Sequence, residues 1–138
     1  MCFRPSGILP VGDIFDAHAY PAPEIDFNYP GANDYVKVIG EFGGHGWPVD
    51  GHLWGDQKKK KFVYGEMPKT LAEYTARYEK TLADLVALKA RGVAAGVYTQ
   101  TTDVEIEING LLTYDRKVAK ISAERLAELH QSLFPKAP

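Results

Sequence analysis

The chain has 138 residues, 45% of them hydrophobic and 25% charged, a composition that fits one globular domain at most. A formal net charge of -2 gives no electrostatic argument for nucleic acid or an anionic membrane, and no apolar run is long enough to cross a bilayer. The lone cysteine, Cys2, cannot form an internal disulfide, and the first residues, with Arg4, Pro5 and Gly7, do not read as a signal peptide. Localisation stays open. The run of lysines at 58–61 is a local exception to the charge balance and reads as a solvated loop.

Residues 1–10 carry Pro5, Gly7 and Pro10 without any period, which predicts an irregular start. Residues 11–20, VGDIFDAHAY, offer a strand with Val11, Ile14, Phe15 and Ala17, ending in the polar group Asp16, His18 and Tyr20. Pro21, Pro23 and Pro30, with Gly31 and Asn33, exclude a regular helix from the connection, because proline removes an amide donor and clashes with the preceding turn. The next strand, 35–42, has Val36, Val38 and Ile39 as a buried run and Glu41 at its end, followed by Phe42, Gly43 and Gly44. A carboxylate ending a buried strand ahead of a glycine-rich loop is where (β/α)8 barrels place catalytic groups. A strand cap or a structural ion-pair partner is the competing reading of Glu41.

Residues 43–66 form a long loop with His45, Trp47, His52, Trp54 and Tyr64, and loops of this size inside a domain usually carry function. Thr70 and Glu73 then stand at capping-box spacing, just after Pro68. Leu71, Tyr74, Tyr78, Leu82, Leu85 and Leu88 recur on one helical face, and the two tyrosines read as helix-to-sheet packing. Lys89, Arg91 and Gly92 close the helix. Residues 93–99, VAAGVYT, are a third strand, so strand, helix and strand make a βαβ unit with parallel strands. A polar loop at 101–116 and a shorter helix at 122–134 follow, with Ser122 as N-cap and Leu126, Leu129 and Leu133 on one face. In a parallel sheet the three polar strand ends, Asp16/His18/Tyr20, Glu41 and Tyr98/Gln100, gather at one edge.

Three segments, DAHAYP at 16–21, GEFGG at 40–44 and GVYTQTTDVEIEINGLLTYDR at 96–116, resemble the last part of the catalytic barrel of glycoside hydrolase family 2. That family includes β-galactosidases, β-glucuronidases and β-mannosidases. The resemblance implies an α/β fold: a partial TIM (β/α)8 barrel made of its last three parallel strands and two helices. On this reading 1–10 is the irregular N-terminus, 11–134 the barrel part and 135–138 a tail. Glu41 matches the family's nucleophile at the end of the seventh strand, which forms a glycosyl-enzyme intermediate with retention of configuration. His18 and Tyr20 match a sixth-strand segment beside the sugar, Tyr98 and Gln100 stand at the mouth of the eighth strand, and Trp47 and Trp54 offer faces for sugar stacking.

The departures are as informative. A retaining mechanism needs a second carboxylate roughly 5 Å from the first. In the family this acid/base is the Glu of an Asn-Glu pair ending the fourth strand, and the chain has no Asn-Glu dipeptide. Glu105 and Glu107 read as loop residues. Three strands cannot close an eight-stranded barrel. The expectation is a fragment of a retaining β-glycosidase, inactive alone, with a β-glycoside as substrate, no cofactor or metal, and the missing barrel half as a partner. The alternative is a non-catalytic carbohydrate- or partner-binding module.

Overall fold

The computed structural model describes residues 4–5, 12–55 and 61–134. Cys2, Val11, residues 58–60 and the 135–138 tail lie outside the described residues.

The longest element, α1 (Leu71–Ala90), starts as its sequence dictates. The Thr70 side chain accepts from the Glu73 amide at 3.1 Å, and the Glu73 carboxylate reaches back to the Lys69 amide at 2.7 Å. Its buried face holds Tyr74, Tyr78, Thr81, Leu82, Leu85 and Leu88. Leu71 departs from the expected face and is 45% exposed, because the first helical residue sits at the rim, ahead of the turn that meets the sheet.

That face covers a four-stranded sheet in the order β1 (Arg4–Pro5), β2 (Ile14–Ala19), β3 (Val36–Gly43) and β4 (Val93–Thr99). β2, β3 and β4 run parallel, as the strand-helix-strand order requires. Arg4–Pro5 pairs antiparallel with β2, a correction to the irregular start: the outer edge of β2 offers backbone groups that an extended segment can satisfy. The 20–35 connection contains a single 3-10 turn, Ala32–Asp34, and no α-helix.

The core lies between the sheet and α1, with Ala17, Ile39, Phe42 and Val93 from the strands and Ile121 from the loop before α2 (Ala123–Gln131). α2 is capped by Ser122, which accepts from the Arg125 amide at 3.2 Å, and it packs Leu126 and Leu129 against the core edge, followed by Leu133. Of the expected buried run in β3, Ile39 is fully buried but Val36 is 50% exposed. α1 covers only one face of the sheet, so alternate residues of each strand turn outward. The fold is therefore α/β with three parallel strands and two helices.

Candidate active site

In β2, Phe15, Ala17 and Ala19 face the core, and alternation places Asp16, His18 and Tyr20 together on the opposite face. Alternation alone would send Glu41 into the core, since it lies two residues from buried Ile39. A bulge prevents this. Ala17 pairs with Ile39 but His18 pairs with Glu41, and toward β4 the register slips again between Ile39 and Phe42. Gly40 is the additional residue. It lets Ile39 and Phe42 both face the helix while Glu41 joins His18, a re-aiming of one side chain typical of bulges beside functional sites. A Cβ at position 40 would lie 2.2 Å from Asp16 Oδ1, so any larger residue requires the Asp16 carboxylate to move.

The resulting cluster is closely bonded. Tyr20 donates its hydroxyl to Glu41 Oε2 at 2.7 Å and lies 2.7 Å from Thr99 Oγ1. His18 bridges two carboxylates, with Nε2 3.0 Å from Asp16 Oδ2 and Nδ1 3.4 Å from Glu41 Oε2. Both contacts to Glu41 fall on Oε2, and its side chain is 45% exposed. Burial pushes the Tyr20 hydroxyl above the usual tyrosine range; the Thr99 bond opposes this, and the Glu41 carboxylate adds to it. Tyr20 therefore stays a proton-bearing donor. Its ring stacks on Tyr64 with centroids 3.6 Å apart, and Tyr64 meets Phe62 edge-on.

The loop leaving β3 is tied down on all sides. The Gly43 amide donates to Pro21 O, Gly44 donates to Thr99 O, and Tyr64 donates to Gly44 O. Gly43 and Gly44 both have positive φ, and a Cβ on either would run into Tyr98 or Tyr64 at 2.2–2.3 Å. His45 is buried and bonds Thr81 of α1 at 2.7 Å; burial, with the charge of Arg77, holds its pKa down at about 4. His45 is thus neutral at ordinary pH. Thr81 donates to Arg77 O, so His45 Nε2–H is the donor to Thr81.

The structure brings Glu41, His18 and Tyr20 together as expected, and it places Tyr98 apart from them. That side chain points to the core, T-stacked on Phe42 and Tyr78, because Tyr98 pairs with Phe42 and shares its helix-facing side. The neighbouring Thr99 faces Tyr20 instead. Period-two alternation counted from buried Val93 would have put Thr99 on the helix side and Tyr98 outward; a register slip, in which Lys37 pairs with Val93 but Val38 with Ala95, reverses this. Gln100 bonds Glu107 Oε2 at 3.1 Å and Asn109 Oδ1 at 2.8 Å, and Asn109 also donates to Glu107. Glu107, read from sequence as a loop residue, is therefore a carboxylate held by two amides. Trp47 is half-buried against the core edge, its amide bonded to Ile108 O, whereas Trp54 is exposed beside Tyr114.

A second, buried ion pair stabilises the loop after β4. Lys120 Nζ lies 2.6 Å from Asp103 Oδ1 and also donates to Ile108 O, while the Gly110 amide donates to Asp103. Among the described residues, no cluster of three or more His, Cys, Asp or Glu side chains is arranged to hold a metal ion, and no helix is long and apolar enough to cross a membrane. No protein-family model matches the chain, and no curated protein matches it.

Proposed function

We propose that Glu41 is the nucleophile of a retaining β-glycoside hydrolase similar to glycoside hydrolase family 2, and that this chain is part of its (β/α)8 barrel, without activity alone. The observation that carries the reading is the bonding of Glu41: Tyr20 and His18 both hold Oε2, and no bond from a described residue occupies Oε1, which leaves it for a substrate carbon. On this reading Oε1 attacks the anomeric carbon, the C1–O bond breaks and its electron pair leaves with the aglycone. The resulting glycosyl ester is later cleaved by water. Tyr20 orients the carboxylate and takes up part of its changing charge. The sequence lacks the family's Asn-Glu acid, so an ordinary aglycone has no proton donor and does not depart.

This separates two steps that can be assayed apart. A 2,4-dinitrophenyl 2-deoxy-2-fluoro-β-glycoside has a leaving group that needs no proton. The expected result, across gluco, galacto and manno forms, is one stable glycosyl adduct, located on Glu41 by peptide mass spectrometry and absent in Glu41→Gln. Ordinary 4-nitrophenyl glycosides show no turnover. An adduct on another residue, equal labelling of the Gln variant, or no labelling by any form would defeat the assignment.

The partner on this reading is the missing barrel half, adding strands along β4. That strand ends the sheet order, exposes Ala94 to Val97, and borders an apolar cleft of about 400 Å³ lined by Leu82, Leu85, Leu133 and Phe134. The second reading, a non-catalytic carbohydrate-binding module, is favoured by the exposed Trp54 and Tyr114.

A further inference from the structure

A second group of side chains at the same sheet edge shares no residue with the Glu41 cluster. Trp54 comes from the loop after β3 and Tyr114 from the loop after β4, and their ring centroids lie 5.5 Å apart at a 59° tilt. Trp54 is 55% exposed and Tyr114 38%. The loop's other tryptophan, Trp47, turns inward, so exposure is a property of this pair and not of loop aromatics in general. Two tilted rings form an apolar notch rather than a flat patch.

Beside them stands an oriented polar group. His52 Nδ1 lies 2.8 Å from Asp115 Oδ2, and Asp115 Oδ1 accepts from Thr113 Oγ1 at 2.7 Å and from the Lys117 amide at 3.2 Å. The Thr113 hydroxyl, together with His52 and the Lys117 amide, holds the Asp115 carboxyl down at about 2, so it is ionised and accepts from Nδ1–H. This fixes the neutral ring in the tautomer whose Nε2 is an acceptor. Among the described residues only Nδ1 of this ring has a protein partner, and the side chain is 29% exposed. The His52 amide is itself bonded to Val49 O and the Arg116 amide to Thr113 O, so both loops are held before any ligand arrives.

The geometry points to a second carbohydrate contact, in which Trp54 and Tyr114 receive the C–H face of a pyranose ring and His52 Nε2 accepts from one of its hydroxyls. The inference rests on the glycoside reading for its ligand class, but not on Glu41 as nucleophile. Aromatic faces supply apolar area with few rotamers to freeze, and the single directed acceptor suits a hydroxyl-rich ring rather than a purely apolar ligand.

The test is saturation-transfer NMR on the full 138-residue chain with methyl β-glucoside, methyl β-galactoside and cellobiose. Transfer to ring protons is expected in the parent and in Glu41→Gln, and loss in Trp54→Ala and Tyr114→Ala. His52→Ala weakens binding about two- to tenfold, the range of one net hydrogen bond. Circular dichroism of each variant establishes that it is folded. Undiminished transfer in folded Trp54→Ala or Tyr114→Ala, or no transfer in the parent, overturns the inference. Glu41 labelling without Trp54-dependent transfer would leave the nucleophile assignment standing and remove this contact. Transfer without labelling would do the reverse.

Discussion

The loop that carries Gly43 and Gly44 away from Glu41 is anchored on α1 by His45, and that anchor titrates. Unfolded, the imidazole has its ordinary pKa of 6.5; folded, burial and the Arg77 charge hold it at about 4. The unfolded chain therefore binds the extra proton between these values. Stability from this group is complete above pH 6.5, falls as the pH drops through the window, and is gone below about pH 4. The full swing is about 3 kcal/mol, of which about 2 kcal/mol is lost by about pH 5. His45→Gln isolates the effect, since a glutamine amide can still donate to Thr81 but does not titrate. Urea unfolding near pH 7.5 and about pH 5 should show the parent losing about 2 kcal/mol more than the variant between the two conditions. At the higher pH the variant should be weaker by about 1 kcal/mol from imperfect packing. An identical pH dependence in parent and variant would refute the argument that buried, neutral His45 holds the loop.

Lys120→Met removes one partner of a buried ion pair and leaves the buried Asp103 carboxyl without its cation, so it should cost about 3–5 kcal/mol in thermal unfolding, with Asp103→Asn in the same chain restoring part of it. Gly40→Ala places a Cβ against Asp16 Oδ1 and shifts the bulge that aims Glu41. It should slow labelling by the fluoroglycoside about 10- to 100-fold, and an unchanged rate would show that the bulge does not position the carboxylate. Tyr20→Phe should slow the same labelling by at least about tenfold, through loss of the charge-assisted bond to Oε2. Tyr98→Phe, a core position, should leave the labelling rate of the folded protein within about twofold, and equal effects of the two changes would contradict the alternation along β4.

Much of the fold was legible in the chain. The Thr70 and Glu73 cap, the apolar face from Tyr74 to Leu88 and the 93–99 strand match the structure closely, because each depends on local spacing and local hydrogen bonds. The polar group Asp16, His18 and Tyr20 was also readable, since period-two alternation alone puts three such residues on one face. Val36 and Leu71 were misjudged because apolar character does not report which positions a neighbouring element covers.

The site's final form was a tertiary decision. No local pattern says that Gly40 bulges, and without that bulge Glu41 would turn toward the helix with Ile39 while Phe42 turned outward. The amide clamp on Glu107 joins Gln100 and Asn109, and the His52–Asp115 pair joins residues from two loops. Such pairings depend on where folded strands deliver their loops, which spacing along the chain does not record. The sequence by itself determined which elements form and which residues are available for chemistry. Packing of α1 against one face of the sheet, together with register slips at Gly40 and near the start of β4, decided that Thr99 and not Tyr98 meets Tyr20, and that Glu41 faces outward.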